Sequence, residues 1–412
     1  SSVVQPCAMR ETACSGGVGA KKVLLHQQHV AGGSVILLLV IALLVLTQLY
    51  LAIPLLPYIG QTFSSAAPKD LIFALASCFS LAYSLGFLFW GAVSDQYGRR
   101  PVMLAGMAVL TVATLACAFV PSLTWLAAAR IVQGLAASSF APVALAWLVE
   151  SLPAQRRVTA VGAMSTAFLV AGIFGQVLAA WLALRWSWTW VFLATGACLF
   201  AATALAAVVI KEPVRASIDG HLWHRFIALG RLALQPPVLL LSCAHITLLL
   251  SFVAMYTALG SQLRVLGLDS EQVILLRLVG LPGMFVALLA GKLADRIGMA
   301  GAAAAGYALA SLGLALEAVL SGSLTGIAAS SLVFVTGVAL AIPAMITQYG
   351  TLAMPNRAGG MALNGAILFF GASIGPLVAN QVPSFVMLLG SLAVALLLAA
   401  ACVASSARSF QS

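Results

Sequence analysis

Apolar residues fall in long uninterrupted blocks separated by short polar connectors. The blocks repeatedly reach the roughly 20 residues a helix needs to cross about 30 Å of hydrocarbon. They run continuously, without the period-two alternation of barrel strands, so they predict helices. Reading from breaker to breaker gives twelve spans, at 34–56, 70–92, 101–120, 122–148, 158–182, 187–210, 236–260, 270–292, 299–320, 323–347, 357–381 and 383–404. The divisions between spans 9 and 10 and between spans 11 and 12 are the weakest, because the connectors there are nearly apolar.

Composition removes the soluble alternative. Charged residues make up 7% of the 412 positions and apolar residues 62%, against about 25% and 45–50% in soluble domains. A soluble domain of this length needs more charge to wet its surface. The first block, Ser34 to Leu56, exceeds the roughly 7–15 apolar residues of a signal-peptide core and predicts a retained helix. Residues 1–33 are polar and Gly-containing, which predicts a mostly disordered tail. Five of the seven cysteines lie inside apolar blocks and none forms a CxxC pair, so small buried membrane residues are expected rather than disulfides or metal ligands.

The net charge of +10 is distributed as a topology signal. No basic stripe with interleaved aromatics exists, so no nucleic-acid partner is expected. One alternating set of connectors and tails holds fifteen Lys and Arg residues, among them Arg99, Arg100, Arg156, Arg157 and Arg225. The other set holds three, Lys69, Arg185 and Arg264. Positive residues stay inside, so both termini are expected in the cytoplasm, with the chain crossing a bacterial-type inner membrane. The expected organisation is a cytoplasmic tail (1–33), a first bundle (34–210), a cytoplasmic linker (211–235), a second bundle (236–404) and a cytoplasmic tail (405–412). The linker stretch from Leu222 to Leu229 has the pattern of a short interfacial amphipathic helix.

An internal repeat underlies the two bundles. The chain reads Gly91-Ala-Val-Ser-Asp95-Gln-Tyr-Gly98-Arg99-Arg100 after span 2 and Gly291-Lys-Leu-Ala-Asp295-Arg-Ile-Gly298 after span 8. Both copies fit G-x-x-x-D-x-x-G at an offset of 200 positions, which Gly175 and Gly375 share. A duplicated six-helix unit about an axis along the membrane normal follows: an all-α polytopic protein of twelve transmembrane helices in two pseudo-symmetric bundles. In the first copy Gly91 is expected to let two helices approach closely. Asp95 is placed to bond an Arg or a helix N-terminus, and Gly98 to permit the tight turn. The loop is expected to act as a gate, with a purely topogenic loop as the alternative.

The Gly91–Arg100 segment resembles the signature loop of the major facilitator superfamily, and further similarities cover nearly the whole chain from span 1 onward. Pro54-Leu-Leu-Pro57 is similar to the proline pair of that family's twelve-helix drug/proton antiporter branch. Arg130-Ile-Val-Gln133-Gly134 resembles its R-x-x-Q-G motif, and Glu150 with Arg156 and Arg157 resembles the junction after span 4. One stretch departs. Where the antiporter branch carries G-P-x-x-G-G, this chain has Gly172-Ile-Phe-Gly175-Gln176-Val-Leu-Ala179-Ala180, and Gly375-Pro376 appears in span 11 instead. The resemblance implies the major facilitator fold, alternating access, and a part for Arg130 in proton coupling.

Ionisable residues inside spans cost at least about 2.5–3.5 kcal/mol at mid-depth, so each needs a reason. Arg130 and Arg277 lie about two turns from the outer ends of spans 4 and 8; the alternative for each is snorkelling. A cavity-facing Arg277 favours an anionic substrate or attracts a carboxylate such as Glu317. His245 is a candidate proton carrier near the middle of span 7, with packing as its alternative. The proton-coupling candidates are thus Arg130, His245 and Glu317. No Asp or Glu sits at mid-depth in any span, which disfavours lipophilic cations as cargo. Candidates for the substrate cavity are Gln48, Tyr50, Gln133, Gln176, Tyr256, Arg277, Gln348 and Asn364, with helix–helix hydrogen bonding the competing role of each amide.

The pairs His26/His29 and His221/His224 lack further ligands nearby, so no metal site is expected, and no cofactor. No phosphate loop or nucleophile elbow is present, so neither an ATPase nor another enzyme is expected. The reading is a secondary transporter exporting a small organic molecule in exchange for protons, working as a single chain. The alternatives are a proton-coupled importer of a nutrient or organic anion, and a membrane sensor that no longer transports.

Overall fold

The computed structural model describes residues 16–214, 220–354 and 356–409. Among these there is no strand, and eleven helical stretches are long and apolar enough to cross a membrane. Helix α1 runs from Gly16 to Tyr50 and continues, after a kink at Leu51, as Ala52–Thr62 with Pro57 inside. It is followed by α2 (Pro68–Phe87, extended by Trp90–Tyr97), α3 (Arg99–Cys117), α4 (Leu123–Ser151), α5 (Ala154–Arg185) and α6 (Trp188–Val209). A linker helix, Leu222–Ala233, leads into α7 (Pro236–Val265). One helical stretch of 50 residues, Ser270–Val319, is far longer than a bilayer needs. It contains Gly298 at φ 79, ψ 165, outside helical geometry, and there divides into α8 (270–297) and α9 (299–319). Helices α10 (Leu324–Leu352), α11 (Arg357–Gln381) and α12 (Phe385–Ser409) complete the chain.

Several boundaries differ from the sequence reading. The stretch from Gly16 to Gly33, expected to be disordered, is helical; adding residues to an existing helix is cheap once the membrane-spanning segment has nucleated it. The earlier residues of that tail, and Arg215 in the linker, lie outside the described residues. Helix α1 reaches Thr62 despite its prolines, because Leu51 Nα still bonds Thr47 O at 2.8 Å and the turn resumes beyond the kink. Helix α8 is broken: regular turns give way near Gly280, and Phe285–Leu289 is a 3₁₀ segment. Its Val279-Gly-Leu-Pro-Gly283 sequence removes one amide donor and two side chains at that point.

The two halves pack alike. In the first, α1 lies against α5 and α6, α4 against α2 and α3, and α3 against α6; in the second, α7 lies against α11 and α12, α10 against α8 and α9, and α9 against α12. Paired glycines hold the same close approaches. A Cβ on Gly175 would sit 3.1 Å from Thr47 Cα, and one on Gly375 would sit 2.9 Å from Leu250 O and 3.0 Å from Val253 Cβ. Gly106 and Gly306 share the offset too: a Cβ would collide with Ser139 from Gly106, and with Ala341 from Gly306. Sequence reasoning passed over this second pair. Between the bundles, α2 meets α11 and α5 meets α8, again as equivalent pairs. Large apolar side chains such as Val112, Phe200 and Val208 face outward at 69%, 66% and 79% exposure, as a lipid-facing surface requires.

Candidate functional site

The first signature loop is built as a closed set of charges. Gly98 adopts φ 109, a conformation open to glycine at little strain, and turns the chain from α2 into α3. Arg99 then points back, with Nη2 at 2.5 Å from Asp95 Oδ1 and 2.6 Å from Glu150 Oε1. Its Nε donates to Glu150 Oε2 at 3.2 Å, a bidentate arrangement, and its Nη1 donates to Ser94 Oγ at 2.6 Å. The free α3 amides of Arg99 and Arg100 donate to Glu212 Oε1 and Oε2 at 2.9 and 2.7 Å, placing a carboxylate where the helix dipole favours it. Arg100 donates in turn to Ile210 O and Ala207 O at 2.9 and 2.6 Å, at the carbonyl end of α6. Arg225 of the linker helix closes the set by donating to Asp95 Oδ2 at 2.7 Å.

Two expectations about this loop change. A Cβ on Gly91 would meet nothing within 4 Å, so Gly91 does not serve a close helix approach; its carbonyl accepts from Ser94 Oγ at 2.8 Å. The second copy keeps the backbone turn at Gly298 but not the charges. Gly291, Asp295 and Arg296 are exposed, and among the described residues Asp295 makes no ion pair. Glu212 and Arg225 were not picked out from sequence. Their only signal was a lone acid just after span 6 and a cation on an amphipathic stretch.

Inside the first bundle Arg130 is wholly buried. Its Nε donates to Leu75 O and its Nη1 to Gln48 O, both at 2.7 Å, and Nη1 also donates to Gln133 Oε1 at 2.9 Å. The guanidinium lies over the Phe79 ring, 4.4 Å from its centre. Gln133 Nε2 donates to Gln48 Oε1 at 3.0 Å and to Thr114 Oγ1 at 2.8 Å. The cluster therefore ties α1, α2, α3 and α4 together with neutral acceptors, and Arg130 Nη2 is left without a partner among the described residues.

The second bundle has its own polar core. His245 Nε2 and Asn364 Oδ1 share a hydrogen bond of 2.6 Å between α7 and α11, and the imidazole packs 5.1 Å from the Tyr349 ring. Its Nδ1 has no partner among the described residues, nor has Gln348 Oε1. Glu317 is fully buried in α9, and among the described residues neither carboxylate oxygen is bonded and it makes no ion pair with Arg277.

The bundles meet around a different group. Arg277 Nη1 donates to Gln176 Oε1 at 2.8 Å, from α8 to α5, and to Tyr256 O at 3.2 Å. Gln176, the departure from the antiporter pattern, is thus an acceptor that crosses the interface. Tyr50 of α1 meets Phe252 of α7 edge to face at 5.9 Å, and the Tyr256 hydroxyl is buried without a partner among the described residues. Arg277 opens onto a cavity of about 180 Å³ between α1, α5, α7 and α8, lined also by Pro54, Pro57, Tyr58, Ser261 and Arg264. Of the expected cavity residues the structure puts only Arg277 in this lining; Gln48, Gln133 and Asn364 sit inside single bundles. At the same end Arg185 and Glu271 pair across the bundles at 3.2 Å. Among the described residues no group of three or more metal-ligand side chains assembles; the side chains of His26 and His29 lie outside them.

A two-bundle membrane fold with a charged loop at one end and a cavity between the halves is the build of a transporter. The pattern of the Major Facilitator Superfamily matches residues 38–376, and the chain belongs to that family. Over 118 residues it is 35% identical to the uncharacterized MFS-type transporter Rv1250 of Mycobacterium tuberculosis, across 29% of this chain and 20% of that protein. Over 262 residues it is 27% identical to the multi-drug resistance efflux pump PmrA of Streptococcus pneumoniae, across 60% of this chain and 63% of the pump. The matched segments cover less than two thirds of either relative. The crystal structure of a bacterial homologue of the human lysosomal transporter Spinster, in an inward-facing and unoccupied conformation, shares the fold, with a TM-score of 0.71 at 16% identity over 93% of this chain and 98% of that one.

Proposed function

We propose that this chain is a secondary transporter that exports a small organic molecule across the bacterial inner membrane in exchange for protons, by alternating access. The observation that carries this reading is the Arg277–Gln176 bond, a buried charge holding the two bundles together beside a cavity. Such a charge has a reason to persist where substrate and bundle motion meet. The Asp95 end faces the cytoplasm in this reading, with both termini, and its ion pairs latch the first bundle and linker. The likeness to an efflux pump supports export. Arg130, His245 and Glu317 are the buried ionisable groups available for proton coupling. The protein works as one chain.

The same cationic bridge favours a second reading, proton-coupled uptake of an organic anion. Proteoliposomes with an imposed pH gradient, tested against organic anions, neutral aromatics and lipophilic cations, separate the two. Proton movement opposite to that of the compound supports exchange, and movement in the same direction supports uptake. No compound-dependent proton movement across the panel removes proton coupling.

A further inference from the structure

The cavity beside Arg277 is electropositive by construction. Arg277 is 4% exposed, and its two hydrogen bonds go from Nη1 to neutral oxygens, leaving Nε and Nη2 without partners among the described residues. Nη2 points along Gly260, where a Cβ would stand 3.1 Å away, and Gly260 itself lines the cavity. Arg264 lines the same space one helical turn further along α7. Among the described residues no carboxylate does. The nearest acids in sequence are committed elsewhere: Asp269 Oδ1 caps α8 by accepting from Gln272 Nα at 2.9 Å, and Glu271 pairs with Arg185. A guanidinium taken out of water and given only neutral acceptors is a charge still short of its counter-ion.

We propose that this cavity is a carboxylate subsite, in which Arg277 holds the acid group of a small organic anion with Arg264 at its mouth. The inference rests on the transport reading and names the class of cargo. The cavity has room for a small remainder of the molecule. A cavity of about 150 Å³ accepts benzene, so the 180 Å³ here suits a one-ring or short-chain acid. Because Nη1 already spans to Gln176, a carboxylate held on the open Nε–Nη2 edge shares its guanidinium with the bond that ties α8 to α5. Occupancy and the separation of the bundles are thereby linked.

The test uses the full chain in lipid nanodiscs and three matched probes, benzoate, benzamide and benzylamine, with chloride as a control anion. Binding is read by thermal unfolding and by titration. Benzoate is expected to bind at least about tenfold more tightly than either other probe, which is about 1.4 kcal/mol. Arg277→Gln is expected to abolish the preference, and Arg264→Gln to weaken benzoate several-fold. Arg264 is exposed, so this second variant keeps the test valid if the first fails to fold. Equal binding of the three probes, binding of none, displacement of benzoate by equimolar chloride, or undiminished benzoate binding in either Arg264→Gln or folded Arg277→Gln, overturns the subsite. Benzoate binding without pH-driven flux of any compound would instead retain the subsite and remove the transport reading. Flux without preference for anions would do the reverse.

Discussion

Asp95 and Arg225 lie 130 positions apart and meet at 2.7 Å, which fastens the linker helix to the first signature loop. Asp95 thereby holds two cations, since Arg99 takes its other oxygen at 2.5 Å. If this set latches one end of the first bundle, removing its charge slows the conformational step and leaves the distant cavity alone. Asp95→Asn is expected to lower turnover about tenfold, the worth of one charge-assisted bond, with KM changed by less than about twofold. Arg225→Gln, at a partly exposed pair, is expected to lower it by only about threefold. Turnover measured in proteoliposomes decides; a wild-type rate in Asp95→Asn ends the latch.

The second loop is expected to matter less. Asp295 is exposed and makes no ion pair among the described residues. Asp295→Asn should therefore leave thermal stability within about 0.5 kcal/mol of the parent, whereas Asp95→Asn should lower it measurably. Equal losses in a denaturation series would show that the two copies are loaded alike.

The glycines of the first loop divide by function. Gly98 needs φ 109, so Gly98→Ala is expected to cost about 1–2 kcal/mol. Gly91 is helical with open space where a Cβ would stand, and Gly91→Ala should be neutral or slightly stabilising. Unfolding midpoints of the two variants test this directly, and a large loss in Gly91→Ala would contradict the geometry.

Arg130 is expected to be structural as well as a coupling candidate. Arg130→Ala takes the buried guanidinium away from Leu75 O, Gln48 O and Gln133 Oε1, and should destabilise the protein by about 1–3 kcal/mol, the cost of leaving a buried acceptor unsatisfied. Arg130→Lys cannot reach the same fork of acceptors and should recover only part of the loss. Full thermal stability in the lysine variant would mean that charge alone suffices there.

Much of the fold is legible because the bilayer allows few solutions. Long apolar blocks must be helices, and the 200-residue offset of Gly98 with Gly298 and Gly175 with Gly375 reappears as matched turns and matched helix contacts. Gly106 and Gly306 escaped notice because two glycines without a surrounding motif carry little signal. The irregular turns of α8 near Gly280 depend on backbone geometry that apolar patterning does not encode. At the site, residue types were legible but directions were not. Gln133 and Asn364, named as cavity candidates with helix–helix bonding as the competing role, each turn into their own bundle. Gln176 looked like a lost proline and is instead the acceptor for a cation 101 positions away. Such a partnership is visible only once α5 and α8 are side by side.

The central claim is that transport requires the bundles to part at the end where Arg185 and Glu271 now pair at 3.2 Å. Arg185→Cys and Glu271→Cys, introduced together after replacement of the seven native cysteines, can be bridged by a reducible bifunctional methanethiosulfonate. Flux would be followed for whichever compound of the panel responds most strongly to the pH gradient. The account predicts that bridging lowers flux at least about tenfold and that reductant restores it. Undiminished flux through fully bridged protein would contradict it.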